Sequence, residues 1–266
     1  MKTINTLKKV SLATFLTFVL SFSSVFAQND TMYIMKSGAI VGQYNVNTEV
    51  DSVIFYKPTI EETTSGTFID SRDGNEYNWV QIGDQVWMAE NLAYLPSVNM
   101  VADGSENAAG SYYYVYGYDG TNVADAKETD NYATYGVLYN WTAALTACPT
   151  GWHLPTDAEW TELTDYLGGT IDAGGKLKAT GTIEAGTGLW YDPNTGATNE
   201  TGFTALPGGL RDGDGTFTSV GGGGYWWSAT EFAYGAWGRY MGYSYSHVSW
   251  PYGNEEVGFS VRCVRD

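Results

Sequence analysis

Glycine interrupts this chain at short intervals, and that spacing limits what the chain can fold into. The 266 residues include 33 Gly, eight of which fall between Gly208 and Gly224. Glycine weakens the interior of helices and strands, so a chain this rich in it favours short elements joined by turns and loops. Two segments have helical apolar spacing, and several short runs alternate in polarity like strands. We therefore predict an α+β domain with two short helices, many short strands and long Gly-rich loops.

Both predicted helices have a recognisable end. The first spans 136–147 and stops at Cys148-Pro149. The second begins at the N-cap Thr156, where Glu159 completes a capping box, and it ends at Gly168-Gly169. Each helix has one apolar face to bury.

Strand signals lie at both ends of the larger part of the chain. Asn78–Ile82 and Gln85–Ala89 flank a Gly83-Asp84 turn, which predicts a hairpin. Gly258–Arg265 alternates apolar and polar residues with period two, which predicts a strand with one buried face.

The first 27 residues predict a secretory signal peptide. Lysines precede an apolar stretch from Val10 to Leu20, and Val25-Phe26-Ala27 offers small residues at −3 and −1 of a cut before Gln28. The apolar stretch is shorter than the roughly 20 residues that span a bilayer, and no later run is longer. We expect an exported protein, periplasmic, secreted or on the cell surface, with no transmembrane segment in the mature chain.

Three parts follow the predicted cleavage site. Residues 28–57 contain the strand-like runs Met32–Met35, Ile40–Tyr44 and Ser52–Tyr56. This segment is too small to fold alone, so we expect it to dock on the main domain or on another protein. Residues 58–66 predict a linker, and residues 67–266 one domain.

Charge and composition limit the function. The net charge of −17 becomes −20 once the signal peptide is removed, which disfavours a nucleic-acid partner. Only His153 and His247 could supply imidazole chemistry, and we expect structural roles for both. No Gly-x-Ser-x-Gly motif is present. We therefore predict a protein that is not an enzyme.

The two cysteines, Cys148 and Cys263, favour a disulfide because an even count in an exported chain is typical of disulfide pairing. Two free buried thiols are the alternative.

Seven ordered strings carry a family resemblance: QVWMAENL (85–92), YGVLYNW (135–141), CPTGWHLPTDAEW (148–160), GATNETGF (196–203), ALPGG (205–209), YWWSAT (225–230) and GFSVRCV (258–264). Together they closely resemble the Fibrobacter succinogenes major paralogous domain, an extracytoplasmic family of the Bacteroidota and Fibrobacter lineages. The resemblance covers residues 67–266.

This family is similar to the C-type-lectin-like superfamily and, within it, to the sulfatase-modifying enzymes. The resemblance implies a C-type-lectin-like fold, with two helices against twisted antiparallel sheets, and a disulfide between Cys148 and Cys263, similar to one in those domains. It also leaves a sulfatase-modifying-like enzyme as a weaker alternative. Those enzymes carry active cysteines just before the last strand, whereas residues 238–256 contain none.

Calcium is a weaker prediction. Asp212 and Asp214 alternate with glycines as in a fragment of a calcium loop, but a third acid and a distant Glu are missing. Aspartates in such turns also simply accept backbone hydrogen bonds. If a calcium ion binds, we expect these two side chains to be its ligands.

The aromatic residues supply the main functional signal. The chain has 10 Trp and 21 Tyr, more than a core of this size needs. Side chains outside the patterned strings are our candidates for ligand binding: Trp190, Trp237, Tyr243, Tyr245 and Trp250. Packing into the core is the alternative for each.

These observations predict an exported, non-enzymatic binding module. We expect it to recognise a glycan or a surface protein through the aromatic, Gly-rich region between residues 190 and 252. The alternative is a structural or adhesin subunit of a surface assembly, joined by strand addition through residues 32–56.

Overall fold

The computed structural model describes residues 31–36, 39–45, 64–105, 109–233 and 235–266. The predicted signal peptide, the strand-like run 52–56 and most of the predicted linker lie outside these residues. The chain divides into two compact units, Met1–Ile60 and Glu61–Asp266.

The described part of the first unit is a two-stranded antiparallel sheet. Strands β1 (Thr31–Lys36) and β2 (Ala39–Asn45) pair with an irregularity between Ile34 and Met35. Ile34, Ile40 and Tyr44 are exposed. These strands match two of the three runs predicted in this segment.

The second unit contains fourteen further strands and five helices among the described residues. The strands are β3 (Ser65–Ile69), β4 (Glu76–Ile82), β5 (Gln85–Met88), β6 (Tyr113–Tyr114), β7 (Leu138–Tyr139), β8 (Trp152–His153), β9 (Gly208–Arg211), β10 (Phe217–Val220), β11 (Gly223–Phe232), β12 (Gly235–Gly242), β13 (Val248–Ser249), β14 (Tyr252–Asn254), β15 (Phe259–Ser260) and β16 (Val264–Arg265). The helices are α1 (Val123–Lys127), α2 (Asp130–Tyr135), α3 (Trp141–Ala147), α4 (Asp157–Tyr166) and α5 (Thr170–Leu177).

The smaller sheet of this unit has five strands in the order β3-β4-β5-β16-β8, and all its pairs are antiparallel. It contains the predicted hairpin, because β4 and β5 pair across the Gly83-Asp84 turn. That prediction is confirmed.

The larger sheet is mixed, which corrects the prediction of purely antiparallel sheets. Its order is β10-β9-β11-β15-β7-β6, and β12 pairs with β11, β13 and β14. Strand β11 runs parallel to both β9 and β15. Parallel neighbours need a connection that returns the chain to its starting end. Strand β10 provides this connection between β9 and β11, and the β12–β14 segment provides it between β11 and β15.

Much of the region predicted as Gly-rich loop therefore belongs to a sheet. The glycines make room for aromatic rings on strands that lie one strand further away in the sheet. A Cβ atom on Gly238 would lie 3.1 Å from the Phe259 ring, and one on Gly253 would lie 2.7 Å from the Trp227 ring. In this sheet, glycine therefore serves packing as well as turns.

The prediction of two helices is correct for α4 and partly correct for α3. Helix α4 has the capping box predicted for Thr156 and Glu159. Helix α3 starts five residues later than predicted, because the Asn140 side chain caps Ala143 N and the two residues before it form β7.

Three further short helices were not predicted. Helices α1 and α2 have only five and six residues, too few to show a helical period. Helix α5 contains Gly174 and Gly175, which argue against a helix in sequence. A Cβ atom on Gly174 would lie 2.7 Å from the carbonyl oxygen of Ser246, so a tight contact requires glycine there.

The C-terminal segment, predicted as one strand with one buried face, takes part in both sheets. Strand β15 lies between β11 and β7 in the larger sheet, and β16 lies between β5 and β8 in the smaller one. Residues 258–264 are all buried. The prediction is wrong about the exposed face, because Ser260 and Arg262 form hydrogen bonds inside the core.

Cys148 and Cys263 form a disulfide, as predicted. It joins the C-cap residue of α3 to the segment between β15 and β16. Both cysteines of the sequence are used in this bond.

Buried cations organise the irregular segments. Of the eight Lys and Arg residues between positions 67 and 266, four are fully buried: Lys178, Arg211, Arg239 and Arg262. Lys178, Arg211 and Arg262 each donate to three backbone carbonyl groups. Buried carbonyl groups outside regular structure need such partners. With these cations inside, the solvent-facing charge is dominated by carboxylates.

In the part of the chain that the structure describes, no helix has the length and apolar character needed to cross a membrane.

Candidate functional site

One face of strand β12 carries exposed aromatic rings. The pairing register places Tyr252 of β14 opposite Trp237 of β12. The Phe232 ring at the end of β11 lies 4.2 Å from the Trp237 ring and 5.5 Å from the Tyr252 ring, centroid to centroid. Trp250 precedes β14 and stacks on the guanidinium of Arg239, 5.7 Å from its ring centroid. We call Phe232, Trp237, Arg239, Trp250 and Tyr252 the aromatic face.

The alternation of a strand explains why these side chains gather on one side. Trp237 and Arg239 are two residues apart on β12, and so are Trp250 and Tyr252 in the segment that pairs with it. Ala236, which points the other way, is buried in the core.

The aromatic face is open to solvent. Phe232, Trp250 and Tyr252 are 38%, 42% and 66% exposed, while Trp237 is half-buried. The rings are tilted against one another, by 39° between Phe232 and Trp237 and by 48° between Phe232 and Tyr252. They form a faceted surface rather than a flat platform.

An ion pair lies beneath Trp250. Arg239 Nη2 is 2.7 Å from Asp157 Oδ1, and Arg239 is fully buried. Burial lowers the pKa of Arg239, and Asp157 partly opposes that shift. Asp157 is the first residue of α4, and its backbone N–H donates to Thr230 Oγ1 of β11. The start of α4 is thereby fixed to the strand that ends in the aromatic face.

The structure distributes the five predicted ligand-binding residues over several places. Trp237 and Trp250 lie on the aromatic face. Tyr243 packs edge-on against Tyr191 at 5.8 Å, and Tyr245 stacks on His247 at 4.0 Å.

Trp190 does not fit the surface role that the sequence indicated. It is fully buried, and its Nε1–H donates to the carbonyl oxygen of Ala205. Its ring belongs to a cluster of buried apolar side chains that also contains Trp160 and Trp226. Trp190 is therefore a core residue, because the segment that contains it places the ring in the interior of the unit.

Two residues of the aromatic face, Phe232 and Tyr252, were not selected from sequence. The spacing of Trp250 and Tyr252 was the available signal, since residues two apart share a face of an extended chain. Phe232 gave no comparable signal, because a turn separates it from Trp237.

The predicted calcium ligands lie in the exposed turn between β9 and β10. Asp212 Oδ1 accepts from Gly213 N at 2.7 Å, and Asp214 Oδ1 accepts from Thr216 N at 2.9 Å. Both carboxylates thus stabilise the turn. In the described segments, no three His, Cys, Asp or Glu side chains are arranged to hold a metal ion. Calcium binding at these residues stays a prediction.

His153 joins three elements. Its Nε2 is 2.7 Å from Glu159 Oε1 of α4, and its Nδ1 is 2.7 Å from Asp266 Oδ1. Partial burial opposes protonation, but the two carboxylates outweigh it and raise the pKa of His153. Both ring nitrogens contact carboxylates of the protein itself. This geometry is that of a structural residue.

A concave surface lies on another side of α4. It is an open groove of about 590 Å³, lined by Asp84, Glu162, Asp165 and Tyr166 among others. Only negative charge distinguishes it, and charge alone does not define a site. The aromatic face is the stronger candidate.

Comparison with curated proteins and with solved structures gives no match. The family model of the Fibrobacter succinogenes major domain matches residues 80–265, which include both sheets' central strands and the whole aromatic face. The chain therefore belongs to the Fibrobacter succinogenes major domain family.

Proposed function

We propose that this protein is an exported, non-enzymatic binding module that holds a glycan on its aromatic face. The observation that carries the proposal is the set of exposed rings on one side of β12 and β14. Ring faces with a partial negative charge attract the polarised C–H groups on the faces of sugar rings. Polar groups beside the rings, including Thr230 and Asn254, can exchange hydrogen bonds with hydroxyl groups.

The size of the aromatic face favours a glycan over a protein. At about 200 Å² per aromatic side chain, the exposed parts of Phe232, Trp250 and Tyr252 amount to about 300 Å². Each partner in a stable protein interface buries about 800 Å². A single sugar chain is better matched to this area.

We infer a C-type-lectin-like fold for the second unit. The mixed helix and sheet architecture supports this inference, as does the disulfide from the end of α3 to the C-terminal segment. Export is part of the same proposal, because a disulfide persists in oxidising compartments.

The test is binding of the mature chain, residues 28–266, to an array of soluble oligosaccharides. Tyr252→Ala should lower the affinity for a bound glycan at least tenfold. Tyr166→Ala is the matched control, because Tyr166 is 65% exposed but lies on the groove side of α4. Absence of glycan binding, or equal loss in both variants, would overturn the proposal.

A second candidate is a structural subunit that assembles by strand addition. The exposed apolar side chains of β1 and β2 favour it, because an isolated two-stranded sheet is marginally stable and gains from a further strand. Sedimentation of the mature chain with and without residues 28–57 tests it. Assembly that survives the deletion contradicts this candidate.

A further inference from the structure

The charges around the aromatic face all have one sign at the surface. In the described segments 155–159, 228–233, 235–239 and 248–256, the only Lys or Arg is Arg239. Arg239 is fully buried and paired with Asp157. The same segments contain Glu255, which follows β14, and Glu231, which is exposed but pairs with Ala236 and therefore lies on the opposite side of β11 from Phe232. Within these segments, a ligand on this face meets the Asp157 carboxylate and no free cation.

Asp157 presents one carboxylate oxygen beside this face. Its Oδ1 is buried next to Arg239, while the side chain as a whole is 35% exposed. The exposed surface therefore belongs to the remaining side-chain atoms, which include Oδ2. An ionised carboxylate accepts hydrogen bonds and donates none, so Oδ2 needs a donor such as a hydroxyl group.

We infer that the aromatic face is selective for uncharged glycans, and that Asp157 is the residue that determines this selectivity. This inference rests on the glycan-binding function proposed above. The hydroxyl groups of an uncharged sugar can donate to Asp157 Oδ2 while a ring face stacks on Trp250. The carboxylate or sulfate of an anionic sugar has no proton to donate, and it meets Asp157 as a like charge.

Arg239 is a positioning residue for Asp157. Its guanidinium lies between the Asp157 carboxylate and the Trp250 ring, so it sets the two ligand contacts at a constant separation. Its Nη1 donates to the carbonyl oxygen of Gly238 and its Nη2 to that of Asp157, both at 3.0 Å, so the guanidinium is held in one orientation against the start of α4.

The experiment compares uncharged and anionic ligands of the same backbone. Neutral cello-, manno- and galacto-oligosaccharides are arrayed beside the same oligosaccharides with their primary alcohols oxidised to carboxylates, in 50 mM and 500 mM NaCl. We expect at least tenfold weaker binding of each oxidised partner, and a smaller difference at high salt because screening weakens the repulsion.

Variants assign the selectivity to Asp157. Asp157→Asn should reduce the preference for the uncharged partner at least fivefold, whereas a purely structural effect would lower binding of both partners equally. Glu231→Gln, which removes an exposed carboxylate on the opposite side of β11, should leave the preference unchanged. Glu162→Gln on the groove side of α4 is the matched control. Equal or tighter binding of the oxidised partners overturns the inference and leaves the glycan function standing, whereas absence of binding to either class overturns both.

Discussion

The ammonium group of Lys178 lies 5.3 Å from the centroid of the Trp190 ring, inside the protein. Its Nζ donates to the carbonyl oxygens of Thr195, Gly242 and Tyr245 at 3.0, 2.9 and 2.9 Å. Burial lowers the pKa of Lys178 to about 8. A single cation thereby joins the segments around residues 195 and 245 to the end of α5.

Lys178→Met should destabilise the protein by about 3 kcal/mol, because three buried acceptors each lose a hydrogen bond that contributes about 1 kcal/mol. Urea denaturation measures the effect. Lys176→Met is the control, since Lys176 forms a 3.6 Å ion pair with the exposed Glu200 and such pairs contribute less than about 1 kcal/mol. Equal effects of the two variants would contradict the role assigned to Lys178.

The contacts of His153 with its carboxylate partners should make the free energy of unfolding depend on pH, with a loss at both high and low pH. The pKa of His153 is raised above 6.5, so its contribution is present below that pH and is lost as the pH rises through the folded-state value. Hydrogen bonds from Thr156 and His153 outweigh burial and lower the pKa of Glu159 below 4.5, so its contribution is lost as the pH falls through that lower value. The combined contribution should be largest between pH 4.5 and 6.5.

Denaturation of the wild type and His153→Gln across pH 3 to 9 checks this expectation. The difference in unfolding free energy should be largest in that window and should shrink on either side. A difference that does not vary with pH would show that His153 acts through packing alone.

Removal of the disulfide should lower stability by about 2 to 5 kcal/mol, since it closes a loop with a sequence separation of 115 residues. The double variant Cys148→Ser with Cys263→Ser tests this by urea denaturation. A reducing agent should destabilise the wild type and leave the double variant unchanged. Equal stability of the two proteins without reductant would refute the prediction.

Gly235→Ala should disrupt the aromatic face without changing any ring. A Cβ atom at this position would collide with the carbonyl oxygen of Gly253, so β14 must shift away from β12. We expect a loss of about 1 to 3 kcal/mol in stability, typical of overpacking, together with weaker glycan binding. Gly213→Ala is the control, because open space surrounds that position. Thermal denaturation and the array measure the two effects.

Local signals predicted the elements that depend on neighbouring residues. The capping box of Thr156 and Glu159 and the turn at Gly83-Asp84 are satisfied within a few residues, so sequence alone identified α4 and the β4–β5 hairpin. The position of Gly238 within a strand could not be predicted in this way. Glycine is needed there because the Phe259 ring, which is remote in sequence, packs against it.

The site was predictable to the same limited extent. Trp237 and Trp250 were identified as candidates. The burial of Trp190 was not predicted, because its core cluster is built from residues remote in sequence, such as Trp160 and Trp226. The role of Asp157 depends on Arg239, which lies 82 residues away in the chain. Spacing and composition contain no information on such a pair.

Residues 259–265 supply an interior strand to each sheet of the larger unit. The strands on both sides of them are synthesised earlier, so neither sheet can close while the ribosome is still making this segment. Folding of the unit is therefore expected to follow the synthesis of this segment rather than to accompany that of the earlier strands. Such an order keeps the unit unfolded until the segment is made, the state in which a polypeptide can be threaded through a translocation channel.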